Sequence, residues 1–215
     1  EQTQEGVVEY VCMTRMPGVA ARHAKLEGPS RAGMLRRLGR TLRWIHEAPQ
    51  EPLTGSGLFP SDQTQGGLRL RLSSTFGRLA DAFQPTPEEW PLDQSPQDVA
   101  AAALRALPKA DAMLALHSNP GPEHVFVDPA TGAFSGLIDF GDAYISHPAL
   151  DLRQWPAAED RAAVLEGYTA DGGVSDAFLA IWRIALIQAQ MMAIVYHRQD
   201  RSRVAENLLG LLAAL

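Results

Sequence analysis

"LHSNPGPEHVFVD", residues 116–128, and "GLIDFGD", residues 136–142, are the two stretches of sequence that decide the fold. Each joins polar residues to a short run of β-branched or apolar residues, and a Pro-Ala-Thr-Gly turn lies between them. This pattern predicts a loop followed by a β-hairpin. Because strand ends hold side chains at fixed positions, His124 at the start of one strand and Asp139 at the end of its partner are expected to converge.

This pair of residues predicts a particular chemistry. An imidazole and a carboxylate, completed by water and an anionic ligand, can bind Mg²⁺ or Mn²⁺, although magnesium usually prefers oxygen ligands. Asn119 lies on the loop before the strand, where a group that meets a substrate hydroxyl would be placed. Such an arrangement suits phosphoryl transfer, since catalysis of that reaction is mostly positioning and neutralisation of charge by metal.

The rest of the chain is predicted to be mostly helical. Three segments show apolar residues at helical spacing: residues 30–48, 68–83 and 95–107. Ser30 and Ser95 are candidate N-caps for the first and last of these. The chain from about residue 159 is again helical, and residues 178–196 are apolar on nearly every face, as in a buried core helix. Short strands are expected beside the polar residues, including one at residues 113–116, so the predicted fold class is α+β and predominantly helical.

Composition restricts the classes of partner. The chain has 215 residues, of which 46% are hydrophobic and 20% charged, as in one soluble globular domain. Its net charge of -6 argues against a nucleic-acid partner, because binding a phosphate backbone needs a basic face. The single cysteine, Cys12, cannot form an internal disulfide, and no leader or long apolar run opens the chain. We therefore expect a cytoplasmic protein with small-molecule partners and no membrane partner.

Together with "HPALDL", residues 147–152, the two stretches resemble the catalytic loop and metal-binding segment of the aminoglycoside phosphotransferase and choline kinase-like family. The family pattern is His-Gly-Asp, an Asn or His five residues after that Asp, then Ile-Asp-Phe/Trp-x-Asp and Asp-Pro-Ala-x-Asp-Leu. A His at the second metal-ligand position resembles the macrolide and aminoglycoside kinase branch. The resemblance implies a protein-kinase-like fold and Mg²⁺-dependent transfer of the γ-phosphate of ATP or GTP to a hydroxyl of a small molecule, such as an antibiotic or a metabolite.

The resemblance also implies roles for individual residues. His124 and Asp139 match the metal ligands, and Asn119 occupies the catalytic position. His117 belongs to the same catalytic motif, where it is expected to anchor the loop. Structural support is expected from two aspartates: Asp142 and Asp151. The simpler alternatives are a turn aspartate at 139, an exposed or hydrogen-bonded histidine at 124, and capping aspartates at 142 and 151.

Upstream, "YVCMTRMPGVAA", residues 10–21, is similar to the hinge that joins the two lobes of the family's kinases and contacts adenine. The candidate nucleotide-binding residues are therefore Met13, Thr14, Arg15 and Met16. The alternative is a core strand and its turn. "LGRTLRWIHEAP", residues 38–49, resembles the helix that follows the hinge, with its Leu-His-x-x-Pro ending.

The predicted domain organisation is a hinge strand with a remnant of an N-terminal lobe at residues 1–20 and a kinase-like C-terminal lobe at residues 21–215. The C-terminal lobe contains the catalytic loop, 116–128, and the metal segment, 136–142. No Gly-rich loop and no lysine precede the hinge, although the family's N-terminal lobe contains both. We expect the strand edge at the hinge to be buried in a homodimer or the first ~20 residues to be disordered.

One departure from the family pattern concerns the reaction itself, because His-Ser-Asn stands where His-Gly-Asp is expected. The amide of Asn119 can accept a hydrogen bond from a hydroxyl, but it cannot take the proton. Loss of a general base typically costs roughly 10²- to 10⁴-fold in rate. Two interpretations assume the family's fold: a phosphotransferase impaired at this position, and an inactive pseudokinase or binding module. A third is an unrelated helical protein whose loop matches by accident.

Overall fold

Apolar residues at three- and four-residue spacing place most of the chain in helices. The computed structural model describes residues 15–63, 65–84, 90–197 and 201–215. Within these residues there are seven α-helices and five short strands. The helices are α1 (Gly28–Glu47), α2 (Glu51–Thr54), α3 (Gln65–Asp81), α4 (Pro96–Arg105), α5 (Ala158–Thr169), α6 (Asp176–His197) and α7 (Arg201–Ala213). The strands are β1 (Val19–Ala20), β2 (Leu114–Leu116), β3 (Val125–Val127), β4 (Phe134–Leu137) and β5 (Tyr144–Ser146).

The strands form two small antiparallel sheets. One has the order β1-β3-β4, and the other pairs β2 with β5. The predicted hairpin is confirmed as β3 and β4, with Val125 opposite Leu137. The sequence did not predict β5. Because β3 pairs with β4 while β2 pairs with β5, the loop between β2 and β3 and the turn between β4 and β5 run side by side from one sheet to the other.

Helices α1 and α5 approach each other closely at two glycines. A Cβ on Gly39 would lie 2.1 Å from the carbonyl oxygen of Val164, and one on Gly167 would lie 2.0 Å from that of Arg36. Real side chains do not tolerate such distances, so this crossing depends on residues without a side chain. Leu35, Leu38 and Leu42 of α1 are fully buried beside it.

We expect Gly39→Ala to destabilise the fold by about 3 kcal/mol, because the methyl group must push α1 away from α5 in a closely packed core. The matched control is Gly33→Ala in the same helix, since a Cβ there meets nothing within 4 Å. That change should stabilise the protein by up to about 1 kcal/mol through helix propensity. Urea unfolding of both variants tests the crossing, and equal effects would contradict it.

Helix α6 is the predicted core helix. By length and composition alone Asp176–Tyr196 is apolar enough to cross a membrane, but 61% of the apolar window is buried inside the protein. Ile181, Ile184 and Ile187 are fully buried. A helix that is hydrophobic on most faces is expected in a protein core, and its burial here confirms that prediction.

The predicted helix starts are partly correct. Ser95 caps α4, since its Oγ accepts a hydrogen bond from the Asp98 amide. Ser30 is not an N-cap, because α1 begins two residues earlier with Glu27 at the cap position. Pro29 explains the difference, since proline favours the first turn of a helix.

Candidate active site

The loop after β2 is held by the carboxylate of Asp151. Asp151 lies in a short 3₁₀ segment, Pro148–Arg153, and is 1% exposed. Its Oδ2 accepts a hydrogen bond from the backbone N–H of His117 (2.9 Å), and its Oδ1 accepts one from that of Ser118 (2.7 Å). A buried carboxylate that satisfies two backbone donors fixes the course of the loop just before Asn119.

The imidazole of His117 joins this loop to the metal segment. It is fully buried, and its Nε2 lies 2.8 Å from the carbonyl oxygen of Ile138. Because a carbonyl only accepts, Nε2 carries the proton, and Nδ1 accepts from the Asn119 amide (3.2 Å). Burial lowers the pKa of His117, which favours the neutral ring that this arrangement requires. His117 therefore lies in the site as an anchor between two segments.

Asn119 is positioned through its backbone. Its carbonyl oxygen accepts hydrogen bonds from the Gly121 amide (2.8 Å) and from Nδ1 of His124 (2.8 Å). The carbonyl groups of the two neighbouring residues also accept hydrogen bonds. The side-chain amide of Gln154 donates to the Ser118 carbonyl, and the indole of the fully buried Trp155 donates to the Pro120 carbonyl. These bonds leave the Asn119 side chain at the wall of a cavity.

His124 and Asp139 converge as the sequence led us to expect. Since Nδ1 of His124 donates to a carbonyl, the neutral ring presents the lone pair of Nε2, and this atom lies 3.3 Å from Oδ2 of Asp139. A ring lone pair and a carboxylate oxygen that face each other at this distance can act together as ligands of one cation. Metal-binding histidines characteristically donate their other N–H to a carbonyl or carboxylate. The pair therefore fits a divalent cation.

A cation at this pair would take most of its ligands from elsewhere. Across the part of the chain that the structure describes, no cluster of three or more His, Cys, Asp or Glu side chains has metal-binding geometry. Mg²⁺ characteristically keeps several waters and binds one or two protein ligands together with substrate phosphates. A two-residue site is consistent with that mode of binding.

Two residues of the site have left-handed backbone conformations that are uncommon outside glycine. Ser118 has a φ of 80° and Asp139 a φ of 67°. Such residues cost about 1–3 kcal/mol each and concentrate at functional sites. Ser118 occupies the position of the glycine in the His-Gly-Asp pattern. The strained backbone therefore lies where the pattern has a residue that adopts this conformation without strain.

We expect Ser118→Gly to raise the melting temperature by about 1–4 °C, because glycine adopts this φ without strain and the gain is about 0.5–1 kcal/mol. The Ser118 hydroxyl makes no hydrogen bond to any described residue, so little is lost with it. Ser74→Gly, in the exposed interior of α3, is the control. It should lower the melting temperature, and a fall in both variants would contradict the strain.

The other predicted residues differ in their placement. Asp142 is exposed in the turn after Asp139 and makes no hydrogen bond or ion pair with a described residue. Met16 packs on β4, since a Cβ on Gly136 would lie 2.4 Å from its Sδ, and Arg15 is exposed. Met13 and Thr14, with the predicted strand that precedes them, lie outside the described residues.

One buried network of polar side chains in the site was not predicted from the sequence. Nε2 of His46 lies 3.1 Å from Oδ2 of Asp151, and its Nδ1 lies 2.9 Å from the hydroxyl of Tyr168. Burial raises the pKa of the Tyr168 phenol, which keeps its proton available for donation. One signal was present in the sequence: His46 continues the apolar stripe that includes Leu38 and Leu42, so its burial, and the need for a partner, followed from helical periodicity.

Beside Asn119 there is a cavity of about 480 Å³, which falls in the range of small-molecule sites. Its wall comes from the catalytic loop, from the segment after Asp151 and from α6. Apolar wall residues include Trp155, Ala189 and Met192. The polar wall residues are Asn119, Glu123, Arg153, Gln154 and Gln190.

The family model described as "Phosphotransferase enzyme family" matches residues 1–206. No curated protein sequence matches the chain significantly. Among solved structures, aminoglycoside-3'-phosphotransferase of type VIII is similar with a TM-score of 0.55 and 23% identity, over 80% of this chain and 65% of that one.

Two further structures are similar at comparable levels. Macrolide 2'-phosphotransferase MphH from Brachybacterium faecium has a TM-score of 0.59 and 16% identity, over 92% of this chain and 68% of that one. The GDP complex of aminoglycoside 2'-phosphotransferase-IIIa has a TM-score of 0.57 and 18% identity, over 93% of this chain and 69% of that one. The chain thus spans about two thirds of the length of these structures. The likeness shows a shared fold and confirms the predicted α+β, predominantly helical, protein-kinase-like class.

Proposed function

Since this chain belongs to the phosphotransferase enzyme family, we propose that it binds a nucleoside triphosphate with a divalent metal and transfers the γ-phosphate to a hydroxyl of a small molecule. Mg²⁺ is the proposed metal, and ATP or GTP the proposed donor. One structural neighbour is a GDP complex, which supports nucleotide binding. The names of the neighbours make aminoglycosides and macrolides candidate acceptor classes, beside hydroxylated metabolites.

The observation that carries this proposal is the pair formed by His124 and Asp139, which lies directly against the loop of Asn119. A bound metal would neutralise charge on the phosphates. The chain's own residues hold the pair in place: the carbonyl of Asn119 orients the His124 ring, and Gly141 donates weakly to Oδ1 of Asp139 (3.4 Å). His117 ties both segments together through its two ring nitrogens.

In this proposal Asn119 orients the acceptor hydroxyl at the wall of the cavity. Its amide oxygen accepts a hydrogen bond from the hydroxyl but does not remove the proton, so transfer is slow. The same observation favours a second candidate function, a catalytically inactive pseudokinase or binding module that retains ligand binding. Measured turnover by the unmodified protein would exclude this second candidate.

We also propose a domain organisation, a nucleotide-base contact, an oligomeric state and a location for the protein. Residues 1–20 would form the hinge strand, with Met13, Thr14, Arg15 and Met16 beside the nucleotide base, and residues 21–215 the C-terminal lobe. Asp142 would support the metal segment. In the described residues β1 pairs with β3 along one edge, and pairing of the hinge strand with a second copy would give a homodimer. The protein would be cytoplasmic, with no nucleic-acid or membrane partner.

The proposal is tested by calorimetric titration with ATP and with GTP, each with and without Mg²⁺. We expect binding that depends on the metal and that Asp139→Asn weakens strongly, because a neutral amide lacks the negative charge with which a carboxylate binds a divalent cation. Asp128→Asn is the matched control. Asp128 lies in the hairpin turn, where it accepts from the amides of Ala130 and Thr131, and an Asn keeps that role. Binding that is unaffected by Mg²⁺ would contradict the proposed metal site.

A further inference from the structure

Among the described residues that line the cavity beside Asn119, one side chain is a cation: Arg153. Arg153 is partly buried and lines the cavity, and its Nη1 donates to Oε1 of Gln188 at 2.9 Å. It forms no ion pair with any carboxylate in the described part of the chain. Asp151, two residues earlier, directs both oxygens to the catalytic loop and to His46. The guanidinium therefore has donors available for a ligand.

The cavity wall offers little negative charge for a cationic ligand. Among the described lining residues Glu123 is the one carboxylate, and its side chain is 51% exposed. One of its oxygens already lies 3.8 Å from Nη1 of Arg22. A polycationic acceptor would have to bury several ammonium groups without matching carboxylates, which is costly. This cavity does not suit an aminoglycoside.

A second polar side chain of the cavity wall is available to a ligand. Gln190 of α6 lines the cavity and is only 3% exposed, and its amide makes no hydrogen bond to any described residue. Among the described residues the Oγ of Ser146 is the one fully buried side-chain polar atom without a partner, so the unpaired amide of Gln190 is open to the cavity. A polar group on a bound ligand would supply the missing bond.

From these observations, and resting on the proposed phosphotransfer function, we infer that the acceptor is a hydroxylated molecule with a single anionic group, a carboxylate or a phosphate. Arg153 binds the anionic group, since a guanidinium matches planar and tetrahedral oxyanions with two parallel hydrogen bonds. Gln190 hydrogen-bonds a neighbouring polar group. The carbon skeleton lies against Trp155 and Met192, and a hydroxyl reaches Asn119.

Matched six-carbon probes test this inference by calorimetry on the chain without nucleotide. Gluconate, sorbitol and glucamine share a polyol skeleton but carry one negative charge, no charge and one positive charge. We expect gluconate to bind about tenfold or more tightly than sorbitol, with glucamine the weakest. Sorbitol 6-phosphate distinguishes the two oxyanions: whichever of the two anionic probes binds more tightly identifies the group, and either order supports the inference. Equal affinities, preference for glucamine or kanamycin, or no binding at millimolar concentrations would overturn it.

Variants connect the preference to named residues. Arg153→Gln should remove most of the advantage of gluconate over sorbitol, and Gln190→Met should weaken both probes while keeping the order. Arg36→Gln is the control, because Arg36 is exposed on α1 and pairs with Glu166. If Arg153→Gln weakens Mg-ATP binding and leaves gluconate unaffected, Arg153 serves the nucleotide and the inference is wrong.

The titrations also separate this inference from the proposed function. Mg-nucleotide binding without any preference for an anionic probe would leave the phosphotransfer proposal intact and overturn the inference. An Arg153-dependent preference for gluconate without nucleotide binding would support an anion site in the cavity and contradict the phosphotransfer proposal, because the protein would not bind the phosphate donor.

Discussion

Replacing Asn119 by Asp is expected to raise the rate of phosphoryl transfer by roughly 10²- to 10⁴-fold, the range that a general base typically contributes. The change restores a group that can take the hydroxyl proton, and the backbone bonds that position residue 119 do not involve its side chain. The measurement is transfer of labelled γ-phosphate from Mg-ATP and Mg-GTP to a panel of acceptors. The panel includes the anionic polyols described above.

The control for this substitution is Asn207→Asp, the same chemical change in α7, away from the catalytic loop. It should leave the rate unchanged. If neither variant transfers phosphate to any acceptor while Mg-nucleotide binding is intact, the binding-module interpretation is favoured over the impaired enzyme. A wild-type rate equal to that of Asn119→Asp would show that the amide is not the limiting feature.

Removing the carboxylate of Asp151 is expected to cost about 3–5 kcal/mol of unfolding free energy, because several buried donors lose their acceptor at once. Asp151→Ala leaves the amides of His117 and Ser118 without acceptors and takes away the partner of Nε2 of His46. An unsatisfied buried donor alone costs about 1–3 kcal/mol. Urea unfolding at constant pH measures the loss.

Asp142→Ala is the matched control for Asp151→Ala, since both residues follow the hairpin and both were expected to support the site. The exposed Asp142 should change stability by less than about 0.5 kcal/mol. Mg-nucleotide binding should weaken in Asp151→Ala even where the protein is still folded, because the loop that orients His124 loses its anchor. Equal stability losses in the two variants would contradict this division of roles.

Much of the fold was predictable because its signals are local. The hairpin of β3 and β4 follows from two alternating runs around a four-residue turn, and α4 follows from its serine cap and apolar spacing. The fifth strand, β5, was not predicted. It is three residues long and fully buried, and its pairing with β2 joins segments about thirty residues apart, so no periodicity within it indicates a partner.

The sequence by itself determined the family, the candidate site residues and the departure from the family pattern at Asn119, because spacing along the chain is a property of the sequence. The tertiary structure decided what those residues contact. Pairing of β3 with β4 brings Asp139 to His124, as the hairpin pattern predicted, whereas the crossing of α1 and α5 brings His46 and Tyr168 to Asp151. The tertiary structure also decided which polar groups line the cavity, because Arg153 and Gln190 come from separate segments that only packing brings together. Residues that are far apart in the sequence line the same cavity, and only the folded chain determines which of them pair with one another.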